Sequence, residues 1–271
     1  MEFKFLRKWG ATGLMLLSAS AGAVQDIRLA TTTSTENSGL LKYLLPAFEA
    51  QYGAKVLVIP VGTGKALKLG ENGDVDAVLV HSRPDEDKFV AAGFGVMRQD
   101  VMYNDFVVVG PKADPAGVKG MRDVTVAFKK IMAAQAKFIS RGDDSGTHKM
   151  ERRIWQEAEA ASKWPSYLSA GQGMGEVLAM AAELQGYTLT DRGTYLAYRA
   201  RTGLDILVEN DPHLFNYYGI IAVNPLKQPH ANFQGAALLI EWITSKEGQR
   251  RIADFKVNGE QLFFPNAAVK P

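Results

Sequence analysis

Residues Ala136–Glu151 read AKFISRGDDSGTHKME. Lys137–Ser140 is a short apolar run that suits a strand. The run breaks at Arg141-Gly142-Asp143-Asp144, and Ser145-Gly146-Thr147 opens a helical pattern. A serine just before a helical run is an N-cap signal. The first N–H groups of a helix lack partners within it and favour anions. Arg141 adds a permanent positive charge, and Ser145 and Thr147 add hydroxyl donors. On these residues alone, an ordinary capped helix after a polar loop and an anion-binding turn fit equally well. The strand–turn–helix order is one unit of an α/β fold.

The same unit recurs upstream. Gln25–Ala30 alternates polar and apolar as a strand does, and Thr31-Thr32-Thr33-Ser34-Thr35-Glu36-Asn37-Ser38 follows, with six hydroxyl side chains in eight residues. Gly39–Gln51 then carries Leu40, Leu41, Leu44, Leu45 and Phe48 on one helical face, with Pro46 as a kink or late start. Lys55–Val61 reads as a second strand, Gly62-Thr63-Gly64 as a tight turn, and Lys65–Gly70 as a helix. Val75–His81 reads as a third strand, and Pro84–Ala92 as a helix with acids in its first turn. Downstream, Asn104–Pro111, Leu204–Val208 and Tyr217–Val223 are strand-like. Arg122–Ala134, Lys149–Ala161, Gly173–Gln185, the segment from Thr190-Asp191 through Arg199, Phe233–Thr244 and Lys246–Phe255 are helical.

Alternating strands and helices predict mostly parallel sheets flanked by helices. The long block between the strands near Val107–Gly110 and Tyr218–Ala222 predicts two lobes. Lobe 1 would comprise 24–108 plus 220–271, and lobe 2 would comprise 109–219, with those two strands as the hinge. A cleft between lobes is a common ligand site, and hinge closure around a ligand is a known device. Three donor-rich turns, Thr31–Ser34, Gly62–Gly64 and Arg141–Thr147, would sit at the carboxyl ends of strands, where open α/β sheets bind ligands. Together they suit a tetrahedral oxyanion surrounded by donors.

The 271 residues suffice for one large domain or two lobes with their own cores. Residues 1–23 stand apart: Lys4, Arg7 and Lys8 form a basic start, Trp9–Ser18 is mostly apolar, and Ala21-Gly22-Ala23 offers a small-x-small cleavage site. That is the pattern of a secretory signal peptide, and the apolar run is too short to span a bilayer. Cleavage is expected after Ala23, with Ala21 as second choice, giving a soluble protein in a bacterial periplasm. The remaining chain carries 28 basic and 28 acidic residues, without the basic excess that nucleic acid would require. There are no cysteines, hence neither disulfides nor thiolate metal sites.

Three other chemistries are weaker. Gly64-Lys65 resembles the end of a phosphate loop, but the first glycine's place holds Ile59 and the Ser/Thr place holds Ala66. Ser145 and His148 are spaced to meet on a helix, yet no Gly-x-Ser-x-Gly elbow or orienting third group accompanies them, so a Ser-dependent hydrolase is a minor alternative. His81, His148, His213 and His230 lack metal-ligand spacing, and Asp85-Glu86-Asp87 and Asp143-Asp144 lack the calcium-loop pattern.

Five segments stand in a telling order: Thr31-Thr32-Thr33-Ser34, Gly62-Thr63-Gly64-Lys65-Ala66-Leu67, Gly73-Asp74-Val75-Asp76-Ala77-Val78, Ser140-Arg141-Gly142-Asp143-Asp144-Ser145-Gly146-Thr147 and Tyr187-Thr188-Leu189-Thr190-Asp191-Arg192-Gly193-Thr194-Tyr195. Together they resemble the tungstate-binding proteins of bacterial ABC importers, over essentially the whole chain after residue 23. The resemblance implies a two-lobed type II periplasmic-binding fold that captures tungstate or molybdate without catalysis or cofactor. It implies an importer permease and its ATPase as partners, and a monomer. It also implies Thr32, Thr33, Ser34, Thr63, Gly64, Arg141, Ser145, Gly146 and Thr147 as ligands to the oxyanion. Phosphate-binding proteins of ABC importers share the Arg-x-Asp-x-Ser-Gly-Thr pattern and are the nearest competitor. Hydrogen phosphate carries a proton and needs an acceptor, which Asp143 would supply by facing it. Tungstate and molybdate are fully deprotonated and need donors only, with Asp143 turned to brace Arg141. The hydroxyl-rich first turn favours tungstate.

Overall fold

A computed structural model of the chain describes residues 25–160 and 164–268, so the expected leader, residues 1–23, lies outside the described residues. Strand β1 (Ile27–Thr32) runs two residues beyond the Ala30 end expected from its alternation. The β-branched Thr31 and Thr32 suit a strand, and Thr31 Oγ1 donates to Leu79 O over 2.8 Å from full burial. Thr32 then caps the short helix α1 (Thr33–Asn37), its hydroxyl accepting from Thr35 N. Helix α2 (Leu40–Tyr52) continues through Pro46 and buries Leu40, Leu41, Leu44, Leu45 and Phe48, the face expected from its periodicity. After β2 (Val56–Val61), helix α3 (Thr63–Asn72) starts two residues earlier than Lys65, so Thr63 and Gly64 belong to its first turn. Strand β3 (Ala77–Val80) and helix α4 (Arg83–Ala91) complete this part.

Strand β4 (Gly95–Gly110) is 16 residues long, far longer than the Asn104–Pro111 segment expected. Its first half hid behind charge. Arg98 lies in the strand because Glu86, fully buried on α4, and Asp100 both pair with it, at 2.9 and 2.7 Å. There follow α5 (Val124–Ala133), β5 (Phe138–Ser140), α6 (Gly146–Glu157), β6 (Tyr167–Ser169), α7 (Met174–Leu184), β7 (Thr188–Asp191), α8 (Arg192–Thr202) and β8 (Asp205–Val208). The chain returns through β9 (Phe215–Val223), α9 (Phe233–Ile243) and α10 (Lys246–Asp254), and ends in the short strands β10 (Lys256–Val257), β11 (Glu260–Gln261) and β12 (Phe264–Pro265).

The sheets are mixed, which corrects the expectation of mostly parallel ones. The first sheet runs β12-β4-β9-β3-β1-β2, and only β1–β2 and β1–β3 within it are parallel. In the second region β5 and β6 are parallel, while β7 and β8 lie antiparallel to β4. The reason is the two crossing strands: β4 and β9 pair antiparallel along most of their length, and β9 is antiparallel to β3 as well. β4 exchanges partners between Asp105, opposite Phe215 of β9, and Phe106, opposite Asp191 of β7.

Helices cover both faces of both sheets. On one face of the first, α2 and α9 pack Leu44, Phe48, Leu239 and Trp242 against Leu29, Leu79 and Ile220. On its other face lie Ala66, Val78, Phe89 and Ile221. The second region has one core around Phe128, Phe138, Trp155 and Tyr187 and another around Val107, Ile139, Leu178 and Leu196. Fully burying such side chains contributes about 1.5–3 kcal/mol each, so each region has its own hydrophobic anchor.

Candidate oxyanion site

The parallel strands bring two of the expected turns side by side. Thr32 stands opposite Val61 in the β1–β2 register, so Thr33-Ser34 and Gly62-Thr63-Gly64 leave adjacent strand ends. Thr33, Ser34 and Gly64 are exposed, and Thr63 is half-buried. Gly62 caps α3 without any side-chain bond, leaving the amides of its first turn open. Thr32 behaves differently. Its side chain is buried, and its Oγ1 lies 2.6 Å from Thr35 Oγ1, 3.1 Å from Ser34 Oγ and 3.2 Å from His81 Nε2. Its hydroxyl is thus engaged by the protein.

The third turn follows β5. Gly142 has φ 66°, a left-handed conformation suited to glycine, and a Cβ there would collide with Ser169 Oγ. The next helix starts as expected, with Ser145 as N-cap accepting from His148 N. Gly146 is exposed, while Thr147 is buried. Arg141 is held at one atom: its Nε donates to Asp143 Oδ2 over 2.8 Å. Among the described residues, its two Nη groups meet no hydrogen-bond acceptor. Asp143 Oδ1 accepts from Ser145 N over 3.1 Å. Partial burial alone would raise the Asp143 carboxyl, but the Ser145 bonds and the Arg141 charge outweigh it and hold it below the usual range. The carboxylate is therefore ionised and occupied by bracing the turn. On the helix that follows, Glu151 is buried and accepts from Trp155 Nε1 and Tyr167 OH, and burial pushes its carboxyl up.

His148 does not serve Ser145 as a base. Its Nδ1 accepts from Asp144 N over 2.9 Å, and only its backbone amide reaches Ser145 Oγ. The nucleophile–base–orienter geometry is not formed here.

The strands that carry the turns lead back to the crossing strands β4 and β9. Tyr187 N donates to Lys137 O and Ile139 N to Tyr187 O, so β5 runs beside β7 and Arg141 lies level with the end of β7. That end, Asp191, stands opposite Phe106. From the other side, His81 follows β3 and joins Thr32 to Asn216, which pairs with Asn104. Asn104 and Phe106 are two residues apart, about 7 Å along a strand.

Several residues at this junction escaped sequence reasoning. His81, Asn104 and Asn216 are brought together across more than 100 residues, and nothing local marks them. The turn Gly171–Gly173 also lies here: Gly171 N donates to Arg141 O over 2.9 Å, and Gly173 caps α7 without a side-chain bond. Its Gly-x-Gly-x-Gly spacing before a helical run was the available signal. Arg192 is near too, but its Nε and Nη2 are bound by Asp105 and Glu209 at 2.6–2.7 Å. Arg141, tied at Nε to a single carboxylate, is the less engaged of the two guanidinium groups.

Residues 17–247 match the PBP superfamily domain. The tungstate-binding protein TupA of Peptoclostridium acidaminophilum is 52% identical over 247 residues, covering 90% of this chain and 86% of that protein. The chain belongs to the tungstate-binding protein family of the PBP superfamily. Solved structures agree. The tungstate-binding protein TupA from Desulfovibrio alaskensis G20 superposes with a TM-score of 0.88 at 51% identity, covering 90% of this chain and 99% of that one. The structure described as the tungstate ABC transporter from Geobacter sulfurreducens gives a TM-score of 0.73 at 55% identity, over 85% and 98% of the two chains. The two-lobed periplasmic-binding fold expected from the motifs is thereby established for this family member.

Proposed function

We propose that the protein captures tungstate, with molybdate as the competing anion of like charge and shape, and delivers it to an ABC importer. The observation that carries this reading is the posture of Asp143. Its two oxygens accept from Arg141 Nε and Ser145 N, so the carboxylate is turned to brace the loop rather than held ready for a protonated anion. A donor-only site suits a fully deprotonated tetrahedral dianion and disfavours hydrogen phosphate. The names of the relatives support the same ligand.

The ligand set comprises the amides and hydroxyls of Thr33, Ser34 and Thr63, the amide of Gly64, Arg141 through its Nη groups, Ser145 through its hydroxyl, and Gly146 and Thr147 at the start of α6. Thr32 contributes through its backbone and as the cap of α1. Each charge-assisted hydrogen bond contributes about 1.5–3 kcal/mol, and the helix starts add favourable potential. The β4 partner exchange between 105 and 106 and the entry to β9 at 215 support a division into lobes close to the expected 108 and 220. Among the described residues no helix is long and apolar enough to cross a membrane. The working form is a periplasmic monomer released after Ala23, and its closed lobes engage a permease driven by an ATPase. No catalytic step is assigned.

Competition calorimetry with tungstate, molybdate, sulfate and phosphate tests this. Tungstate should bind tightly and phosphate should not displace it. Tight phosphate binding without a tungstate response would overturn the assignment.

A further inference from the structure

His81 is the first residue after β3 and contacts the hydroxyl turn at Thr32. Its ring packs on Tyr218 with centroids 4.7 Å apart. Its Nδ1 lies 3.1 Å from Asn216 Oδ1, and its Nε2 lies 3.2 Å from Thr32 Oγ1. The Asn216 amide is oriented by its other end, because Nδ2 donates to Asn104 Oδ1 over 2.8 Å. The oxygen of Asn216 therefore faces His81, and Nδ1 must carry the proton. Burial pushes the imidazole down, against a smaller opposing effect of the Asn216 bond, so the ring is neutral and Nε2 is bare. A bare Nε2 accepts, and the donor within reach is the Thr32 hydroxyl.

The consequence falls on Ser34. Once the Thr32 proton is spent on His81, Thr32 Oγ1 has two lone pairs left. The close Thr35 hydroxyl at 2.6 Å and Thr35 N at 3.3 Å fill them. Ser34 Oγ, exposed at 3.1 Å, then has no acceptor in the turn and keeps its proton for the anion. Without His81 the Thr32 proton turns inward to Thr35, and Thr32 Oγ1 becomes an acceptor that competes for the Ser34 proton. We propose that His81 is a positioning residue that fixes the direction of hydrogen bonding in the Thr32–Thr35 turn, anchored to the crossing strands through Asn216 and Asn104. It touches no ligand. The two amides belong to β4 and β9, where the lobes join, so the donor set of the turn is tied to the arrangement of the hinge. This proposal rests on the oxyanion reading of the site.

The test combines calorimetry and NMR on the full mature protein. Tungstate titration of wild type, His81→Phe, Thr32→Val and the double variant should show a loss of about fivefold or more for His81→Phe, the size expected for one misdirected hydrogen bond. The double variant should lose no more than the larger single loss, because both changes break one chain of bonds. Nitrogen-15 NMR of the imidazoles, assigned with Gln variants of the other three histidines, should find His81 protonated at Nδ1 at neutral pH. Wild-type affinity in His81→Phe, additive losses, or a proton on Nε2 would each overturn the proposal. The tautomer readout uses wild type and so decides the matter even where His81→Phe fails to fold. If wild type ignores tungstate and binds phosphate, the assigned anion fails, while the tautomer still reports on His81.

Discussion

Replacing Arg141 by alanine is the most direct test of the site. The guanidinium is tied at Nε to Asp143 and keeps both Nη groups unengaged, with about a quarter of the side chain exposed. One charge-assisted bond to the anion is worth about 1.5–3 kcal/mol, which is about tenfold or more in affinity. Partial exposure places the effect near the lower end of that range. A second change works in the same direction: with Arg141 gone, the Asp143 carboxylate stays ionised beside the anion without its counter-charge. Arg141→Ala should therefore weaken tungstate binding at least about tenfold by calorimetry. Arg141→Lys should lose less, since it keeps the charge but cannot brace Asp143 and reach the anion in a fork. Asp143→Asn separates the two anion readings. For a donor-only site it loosens the brace but removes a negative charge, so tungstate affinity should move by less than about tenfold. For a phosphate site it would replace the charged acceptor of the phosphate proton by a weaker amide oxygen, so phosphate binding should weaken. An unchanged dissociation constant in Arg141→Ala would refute the placement of Arg141, and with it the convergence argued from β5 and β7.

Other consequences are separable. Ser34→Ala should weaken tungstate binding by about fivefold, the size of one hydrogen bond, with unchanged thermal stability; a stability loss without an affinity loss would place Ser34 outside the site. Arg192→Met should destabilise by about 3–5 kcal/mol in urea melts, because it strands the buried Asp105; a small effect would show that water reaches the pair. His81 is held below its usual 6.5 in the folded protein, so the unfolded chain takes up its proton first as pH falls. Its stabilising contribution is present above pH 6.5 and is lost as pH falls towards the folded value. Wild type should lose up to about 1.4 kcal/mol per pH unit more than His81→Phe in that window, and parallel urea-melt curves at pH 7.5 and 5 would contradict a buried neutral ring. Mass spectrometry of the exported protein should find Val24 at the amino terminus; retention of residues 1–23 would remove the leader assignment.

The first three strands and their helices were legible because the apolar runs are closed by a hydroxyl cluster after β1, by glycine after β2 and by Ser82-Arg83-Pro84 after β3. The starts of α1 and α3 were blurred, since Thr31-Thr32 and Gly62-Thr63 suit a turn as well as the strand and helix they join. The first half of β4 was unreadable for a different reason. Arg98 and Asp100 read as solvent residues until Glu86, twelve positions away on α4, is seen to neutralise Arg98 in the interior. Sheet direction failed in the same way, because antiparallel pairing of β4 with β9 spans more than 100 residues and leaves no local signature.

The site divides along the same line. The proposed donors lie on short motifs, so Ser34, Gly64, Arg141 and Thr147 are candidates that local sequence can offer. What organises those donors comes from long-range pairing and could not. Asp143 shows the boundary. Its spacing from Arg141 and Ser145 allows it to face an anion or to brace the turn, and both postures satisfy the same motif. The choice depends on Gly142, whose left-handed backbone and close approach to Ser169 of β6 bend the loop until both carboxylate oxygens fall on Arg141 Nε and Ser145 N. A strand not recognised in the sequence thus helps decide which chemistry the recognised motif performs. A side chain at position 142 should accordingly disturb anion selectivity as well as stability, since it would release the acceptor that a donor-only site must keep occupied.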